Sequence, residues 1–140
     1  MSVAISTVYM YNDIISTLQA SIAWKQCTNL PIEFSYARTT VINGKVYCGG
    51  GMTDNDEFLV YCYNPSQDKW TSLPPLSVRY FDLGQVNGKL IAVGGEKKGT
   101  ENETSVVYTY DERSQKWKQT IPPMPTARWS PDVLSLQSAL

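Results

Sequence analysis

Histidine is absent from all 140 residues. That removes the commonest general base and the commonest transition-metal ligand. The side chains left with chemistry in them are three cysteines (Cys27, Cys48, Cys62), an acidic run at Asp54, Asp56 and Glu57, and the arginine–aromatic pairs Arg79-Tyr80 and Arg128-Trp129. The cysteines are odd in number and lack CxxC spacing, so they indicate neither a disulfide framework nor a zinc site, and reduced thiols are expected. The acidic run lacks the remaining positions of a calcium loop and reads as solvated chain. No metal and no cofactor are expected. The glycine pairs Gly50-Gly51 and Gly94-Gly95 lack phosphate-loop spacing and a following helix, so they read as structural. Arginine and aromatic side chains are what interfaces favour. Arg79, Tyr80, Arg128 and Trp129 are therefore the candidate partner-binding residues, with hydrogen bonding inside a sheet as the competing role for the arginines. Nothing arranges carboxylates and arginines into a catalytic constellation, and the chain is expected not to be an enzyme; Glu57, Arg79 and Arg128 are the residues to test for one.

Twelve Lys plus Arg against thirteen Asp plus Glu leave a net charge of -1. Such a balance supplies no field to gather nucleic acid or an anionic membrane. No stretch approaches the ~18 apolar residues of a membrane span, and Met1 to Ile5 lacks the basic start of a secretory signal. The expectation is a soluble, cytoplasmic chain with neither nucleic acid nor membrane as partner.

The elements that position these residues repeat. Asn43-Gly44-Lys45 before Gly50-Gly51 returns as Asn87-Gly88-Lys89 before Gly94-Gly95, 44 residues later. Val60-Tyr61-Cys62-Tyr63-Asn64 ending at Trp70 returns as Val107-Tyr108-Thr109-Tyr110-Asp111 ending at Trp117, 47 residues later. The three-residue difference falls between the glycines and the valine, which marks that segment as a loop. Within one unit, Arg38 to Ile42 is rich in β-branched residues and runs into Asn-Gly, the dipeptide of a type I′ hairpin. Lys45 to Cys48 is the second strand, and the glycines after it permit a bend or a close backbone approach. Phe58 to Tyr63 is a third strand and Trp70 to Leu73 a fourth, ended by Pro74-Pro75. Tyr61 and Tyr63 point one way and Val60 and Cys62 the other, so the sheet is apolar on both faces and must be sandwiched. Trp70 and Trp117, at matched positions, are expected in the core. If Gly51 opposes Leu59, Cys48 and Cys62 fall opposite one another, as a crosslink or, more ordinarily in a reducing compartment, as packed thiols.

The order of a double glycine, a tyrosine-bearing strand, a tryptophan and a proline-rich link closely resembles the kelch repeat. The resemblance rests on Gly50, Gly51, Tyr61, Tyr63 and Trp70 in one unit and Gly94, Gly95, Tyr108, Tyr110 and Trp117 in the next. Val8 to Asn12 with Trp24 and Leu30-Pro31 resembles the last two strands of a further repeat, lengthened within Ile14 to Ala23 by a loop or one helical turn. Ala127-Arg128-Trp129 with Val133-Leu134 resembles an opening strand. The resemblance implies an all-β fold, an incomplete kelch β-propeller of about three four-stranded antiparallel blades. Its parts would be residues 1–31 (a partial blade), 32–76 and 77–125 (one repeat each) and 126–140 (the first strand of a following blade). It also implies a protein-protein interaction module, with the substrate-recognition part of a cullin-type ubiquitin ligase adaptor or an actin-binding scaffold as finer readings. The alternative is a carbohydrate- or metabolite-acting kelch enzyme without a histidine-based metal site. An arc of blades leaves two apolar end faces. Three states stay open: a segment of a longer protein carrying more blades or a BTB domain, self-association of two copies to complete a propeller, and a lone arc.

Overall fold

The structure, a computed structural model, describes residues 9–14, 21–55 and 58–136. Among these residues there are twelve strands and no helix. One four-stranded antiparallel sheet runs β3 (Arg38–Ile42), β4 (Lys45–Gly49), β5 (Val60–Asn64) and β6 (Lys69–Ser72) in that spatial order. A second repeats it with β8 (Asp82–Val86), β9 (Lys89–Val93), β11 (Val107–Asp111) and β12 (Lys116–Lys118). Before them, β1 (Tyr9–Ile14) pairs with β2 (Ser21–Gln26). In register Tyr11 is paired with Trp24 there, as Tyr63 is with Trp70 and Tyr110 with Trp117 in the full sheets. The expected loop or helical turn between β1 and β2 falls largely on residues 15–20, outside the described residues. The structure adds a two-stranded sheet that the sequence does not announce, β7 (Val78–Arg79) with β10 (Glu96–Lys97).

Both hairpins close as their sequence requires. Asn43 and Gly44 hold φ of 49° and 74°, and Asn87 and Gly88 hold 51° and 73°, the left-handed pair that a type I′ turn needs. The glycine pairs are sites of close approach. A Cβ on Gly50 (φ 81°) would run into the carbonyl of Phe81, in the link to the next sheet, and one on Gly94 (φ 68°) into the carbonyl of Arg128.

Strands β3 and β8 lie side by side, and between the two sheets sits the main core. Tyr47, Val60 and Cys62 from the first sheet meet Leu83, Leu90 and Ala92 from the second, with Phe81 from the connection between them. The far face of the first sheet carries Cys48, Tyr61, Tyr63 and Trp70 and is covered by Cys27, Leu30 and Phe34. The far face of the second carries Ile91, Val93 and Val107 and is covered by Ile121, Met124 and Val133. Each sheet is thus apolar on both sides and sandwiched, because alternate residues of one strand serve opposite faces.

The tryptophans occupy equivalent surroundings. Trp70 is buried, packs on Tyr63 with ring centroids 5.0 Å apart, and donates its indole N–H to the Thr28 carbonyl at 2.9 Å. Trp117, half-buried, packs on Tyr110 at 5.2 Å and donates to the Pro74 carbonyl at 2.8 Å. In both cases the acceptor belongs to the link that enters the sheet.

Two expectations are corrected. Cys48 pairs with Tyr61 and Cys62 with Tyr47, so the register differs by one residue from the one that would oppose the thiols. A slip of one residue transfers a side chain to the other face. Cys48 and Cys62 therefore sit in different cores, on opposite sides of the sheet, and both are free thiols. Burial pushes the Cys48 thiol up to about 11. The second correction concerns residues 126–136, which form no strand. They do pack along β8: the Val133 N–H donates to the Asp82 carboxylate, the Ser135 hydroxyl donates to the Gln85 carbonyl, and the Val133 side chain lies over Gly84. A segment with no hydrogen-bonded neighbour strand has no ladder, whatever its sequence favours.

Candidate functional site

The antiparallel order sorts the connections onto two ends of the sheets. One end, here the loop face, carries the Ser35–Met52 bridge, the β7–β10 pair and the segment around Arg128. Ser35 and Met52 exchange backbone hydrogen bonds of 2.9 and 2.8 Å. The Arg79 guanidinium donates to the Glu96 carboxylate through Nε (3.0 Å) and Nη2 (2.6 Å) and lies 5.2 Å from the Tyr80 ring centroid. Tyr80 meets Trp129 edge-on at 6.3 Å. The structure therefore brings Arg79, Tyr80 and Trp129 together, with Arg128 next to them. Their roles divide: Arg79 is half-buried in an ion pair that fixes β7 to β10, whereas Arg128 turns its side chain to solvent. The Arg128 backbone is pinned, its carbonyl accepting from Gly95 N–H (2.8 Å) and its N–H donating to Thr104 (3.2 Å). Beside it lies a depression of about 580 Å³ walled by Glu103, Met124, Arg128 and Trp129. Asp56 and Glu57 lie outside the described residues.

Backbone conformation marks the same face. Tyr36 and Tyr80 hold φ of 60° and 54°, and Ser130, directly after Trp129, holds 47°. Positive φ is unfavourable for bulky residues and persists only where the surroundings enforce it. Each of these three segments thus places an aromatic ring at a strained position or beside one, with Tyr36 63% and Trp129 59% exposed. Tyr36 is a residue that motif reading missed. Its signal was there, since it precedes Tyr80 by the 44-residue interval.

Two further features lay beyond sequence reasoning because both form between sheets. Arg38 and Asp82 start the neighbouring strands β3 and β8, and Arg38 reaches Asp132 at 3.6 Å. Asp82 is buried, accepting from the N–H groups of Leu83 (2.8 Å) and Val133. Its burial raises the carboxyl above its ordinary value in spite of those bonds. At the opposite end, here the turn face, a pocket of about 440 Å³ opens between the sheets, floored by Ile42, Tyr47, Leu90 and Tyr110. Burial holds the Tyr47 phenol well above its usual range. Among the described residues no cluster of three or more Cys, Asp or Glu has metal-binding geometry.

Comparison with known proteins bears on the repeat directly. A profile of the Kelch motif matches residues 33–77. The chain is 36% identical over 101 residues to the Kelch repeat and BTB domain-containing protein 1 of Ectromelia virus, covering 67% of this chain and 17% of that protein. It is 30% identical over 116 residues to Kelch-like protein 41b of Danio rerio, covering 80% of this chain and 19% of that protein. The chain belongs to the kelch-repeat family. It spans less than a fifth of the length of either relative. Among solved structures, YjhT superposes with a TM-score of 0.67 at 16% identity, covering 86% of this chain and 45% of that one. That likeness shows a kelch propeller fold, and the kelch chain has the all-β, antiparallel, four-stranded sheets of an incomplete propeller. The kelch matches support a protein-interaction module. The expectation of a non-enzyme is corrected: the fold is shared with YjhT, and a shared scaffold of this kind hosts catalysis as well as binding, so the exclusion drawn from the sequence does not stand.

Proposed function

We propose that this kelch arc binds a protein partner through its loop face, with Trp129, Arg128, Tyr80 and Tyr36 as the contact residues. The observation that carries the reading is the exposed pair of rings at Tyr36 and Trp129, held in place by left-handed backbone at Tyr36, Tyr80 and Ser130. Exposed, rigidly mounted aromatic and arginine side chains are the groups that dominate binding energy in protein interfaces. Arg79 acts behind them as the residue that braces the platform through Glu96. The finer reading is substrate recognition for a cytoplasmic ubiquitin ligase adaptor, supported by relatives whose names join the kelch repeat to a BTB domain. An actin-binding scaffold is the other form the same surface would take.

The test is quantitative affinity capture from cytosol with the parent chain, Trp129→Ala and Arg128→Glu, followed by reconstitution with the purified candidate. Loss of one protein from both variants, with unchanged melting, supports the reading. Equal capture by all three proteins removes it.

A further inference from the structure

The chain is close to neutral, but its charge is unevenly placed. The strand registers Ile42↔Lys45, Asn64↔Lys69, Val86↔Lys89 and Asp111↔Lys116 bring Lys45, Lys69, Lys89 and Lys116 to the turn face, and Arg113 and Lys118 wall its pocket. All six are exposed. Among the carboxylates at this end whose side chains are described, Asp68, Asp111 and Glu112, the first two are already engaged. Asp68 accepts from the Tyr63 hydroxyl (2.6 Å) and the Thr28 N–H (2.8 Å), and Asp111 accepts from Lys118 and the Ser114 hydroxyl. Glu112 is exposed at the pocket rim. Among the described residues Lys45, Lys69, Lys89, Arg113 and Lys116 have no carboxylate within salt-bridge distance. A chain of net charge -1 thus presents a positive end, and within that end an apolar and phenolic pocket.

We infer that the turn face is a second protein-binding surface, whose partner is an acidic segment that places one apolar or aromatic side chain in the pocket between the sheets. The pocket floor of Ile42, Tyr47, Leu90 and Tyr110 suits such an anchor, and Lys89 and Arg113 at its rim face the flanking carboxylates. Unpaired surface cations raise the encounter rate with an acidic partner and select against a basic one. The pocket lies at the opposite end of the strands from Trp129, so the two surfaces are occupied independently.

The probe is a fluorescein-labelled dodecapeptide of alternating Asp and Glu with a central Leu, read by anisotropy against the full chain. Its companions are the same peptide with Lys for every acid, phosphatidylserine vesicles and single-stranded DNA. The inference expects the acidic peptide to bind and the basic one not to. It expects binding to weaken as salt shortens the Debye length below about 8 Å, and Lys89→Glu with Arg113→Glu to weaken it about tenfold or more. Replacing the central Leu by Gly weakens it further, and Trp129→Ala leaves it unchanged. Lys89→Gln, which removes charge without adding any, gives a smaller loss and guards against a folding artefact. The inference is overturned by no binding of the acidic peptide, by equal binding of the basic peptide, by loss with Trp129→Ala rather than Lys89→Glu, or by tighter binding to the vesicles or DNA.

Discussion

Replacing Trp70 with alanine removes the side chain on which the first full sheet closes. An indole buries on the order of 200 Å², which at about 25 cal/mol per Å² is worth about 5 kcal/mol as an upper limit. Two further losses come with it, the Tyr63 ring contact at 5.0 Å and the bond to Thr28, each about 1 kcal/mol. Thr28 is exposed and water can replace the indole as its donor. Partial collapse of the cavity offsets part of the remainder, so the expected cost is about 3–5 kcal/mol. For a chain of this size that lowers Tm by about 10–20 °C. Trp70→Phe keeps most of the contact area and forfeits the bond, for about 1–2 kcal/mol. Trp129→Ala, at a solvated ring, costs under about 1 kcal/mol. Thermal melts followed by far-UV circular dichroism order the three. A Trp70→Ala protein melting within about 2 °C of the parent, or a Trp129→Ala protein that loses as much as Trp70→Ala, would refute the wedge.

Gly50→Ala and Gly44→Ala separate space from backbone strain. Both positions have positive φ, but Gly44 faces open solvent whereas Gly50 abuts the Phe81 backbone. Urea titration should give about 1–2 kcal/mol for Gly44→Ala and a clearly larger loss for Gly50→Ala. Diamide treatment followed by non-reducing peptide mapping should yield no Cys48–Cys62 disulfide, and Cys48 should react with a thiol reagent at pH 8 only after unfolding, because burial places its titration near 11. Asp68 is held below the ordinary carboxylate range, first by the Thr28 N–H and then by the Tyr63 hydroxyl. A depressed folded-state value stabilises the fold above the unfolded value of about 3.9 and loses that contribution as pH falls through the folded one. Asp68→Asn should therefore flatten the acid limb of a stability–pH curve below about pH 4 and leave its slope at neutral pH unchanged.

Much of the sheet architecture could be read from a few residues whose local chemistry permits one conformation. Asn43-Gly44 and Asn87-Gly88 set the first hairpins, and the recurring tryptophans located the last strand of each sheet. The pairing of β4 with β5 could not be read the same way. Its connection is the long segment from Gly50 to Leu59, which imposes no turn type, so the register is fixed by which side chains suit which face. Anchoring on the glycines gave Gly51 opposite Leu59, while packing chose Gly49 opposite Val60. The β7–β10 pair escaped because two residues per strand carry no period. The loop-face residues Arg79, Tyr80, Arg128 and Trp129 could be singled out by type, but not their division of labour, since the Glu96 partner of Arg79 is a tertiary fact. The turn-face pocket and the Arg38–Asp82–Asp132 group are assembled from separate repeats and leave no mark in any one of them.

The indole bonds cross the boundary between one sheet and the link before it, spanning 42 residues from Thr28 to Trp70 and 43 from Pro74 to Trp117. The mechanically closed cassette is consequently out of phase with the visible blade: it opens in a connecting stretch and shuts on the outermost strand. During synthesis the acceptor always emerges from the ribosome ahead of its donor, so every cassette can latch as soon as its last strand is free. Anyone lengthening such an array by duplication should cut at Thr28 and Pro74 rather than at the hairpins, because only that phase copies a latch together with its catch.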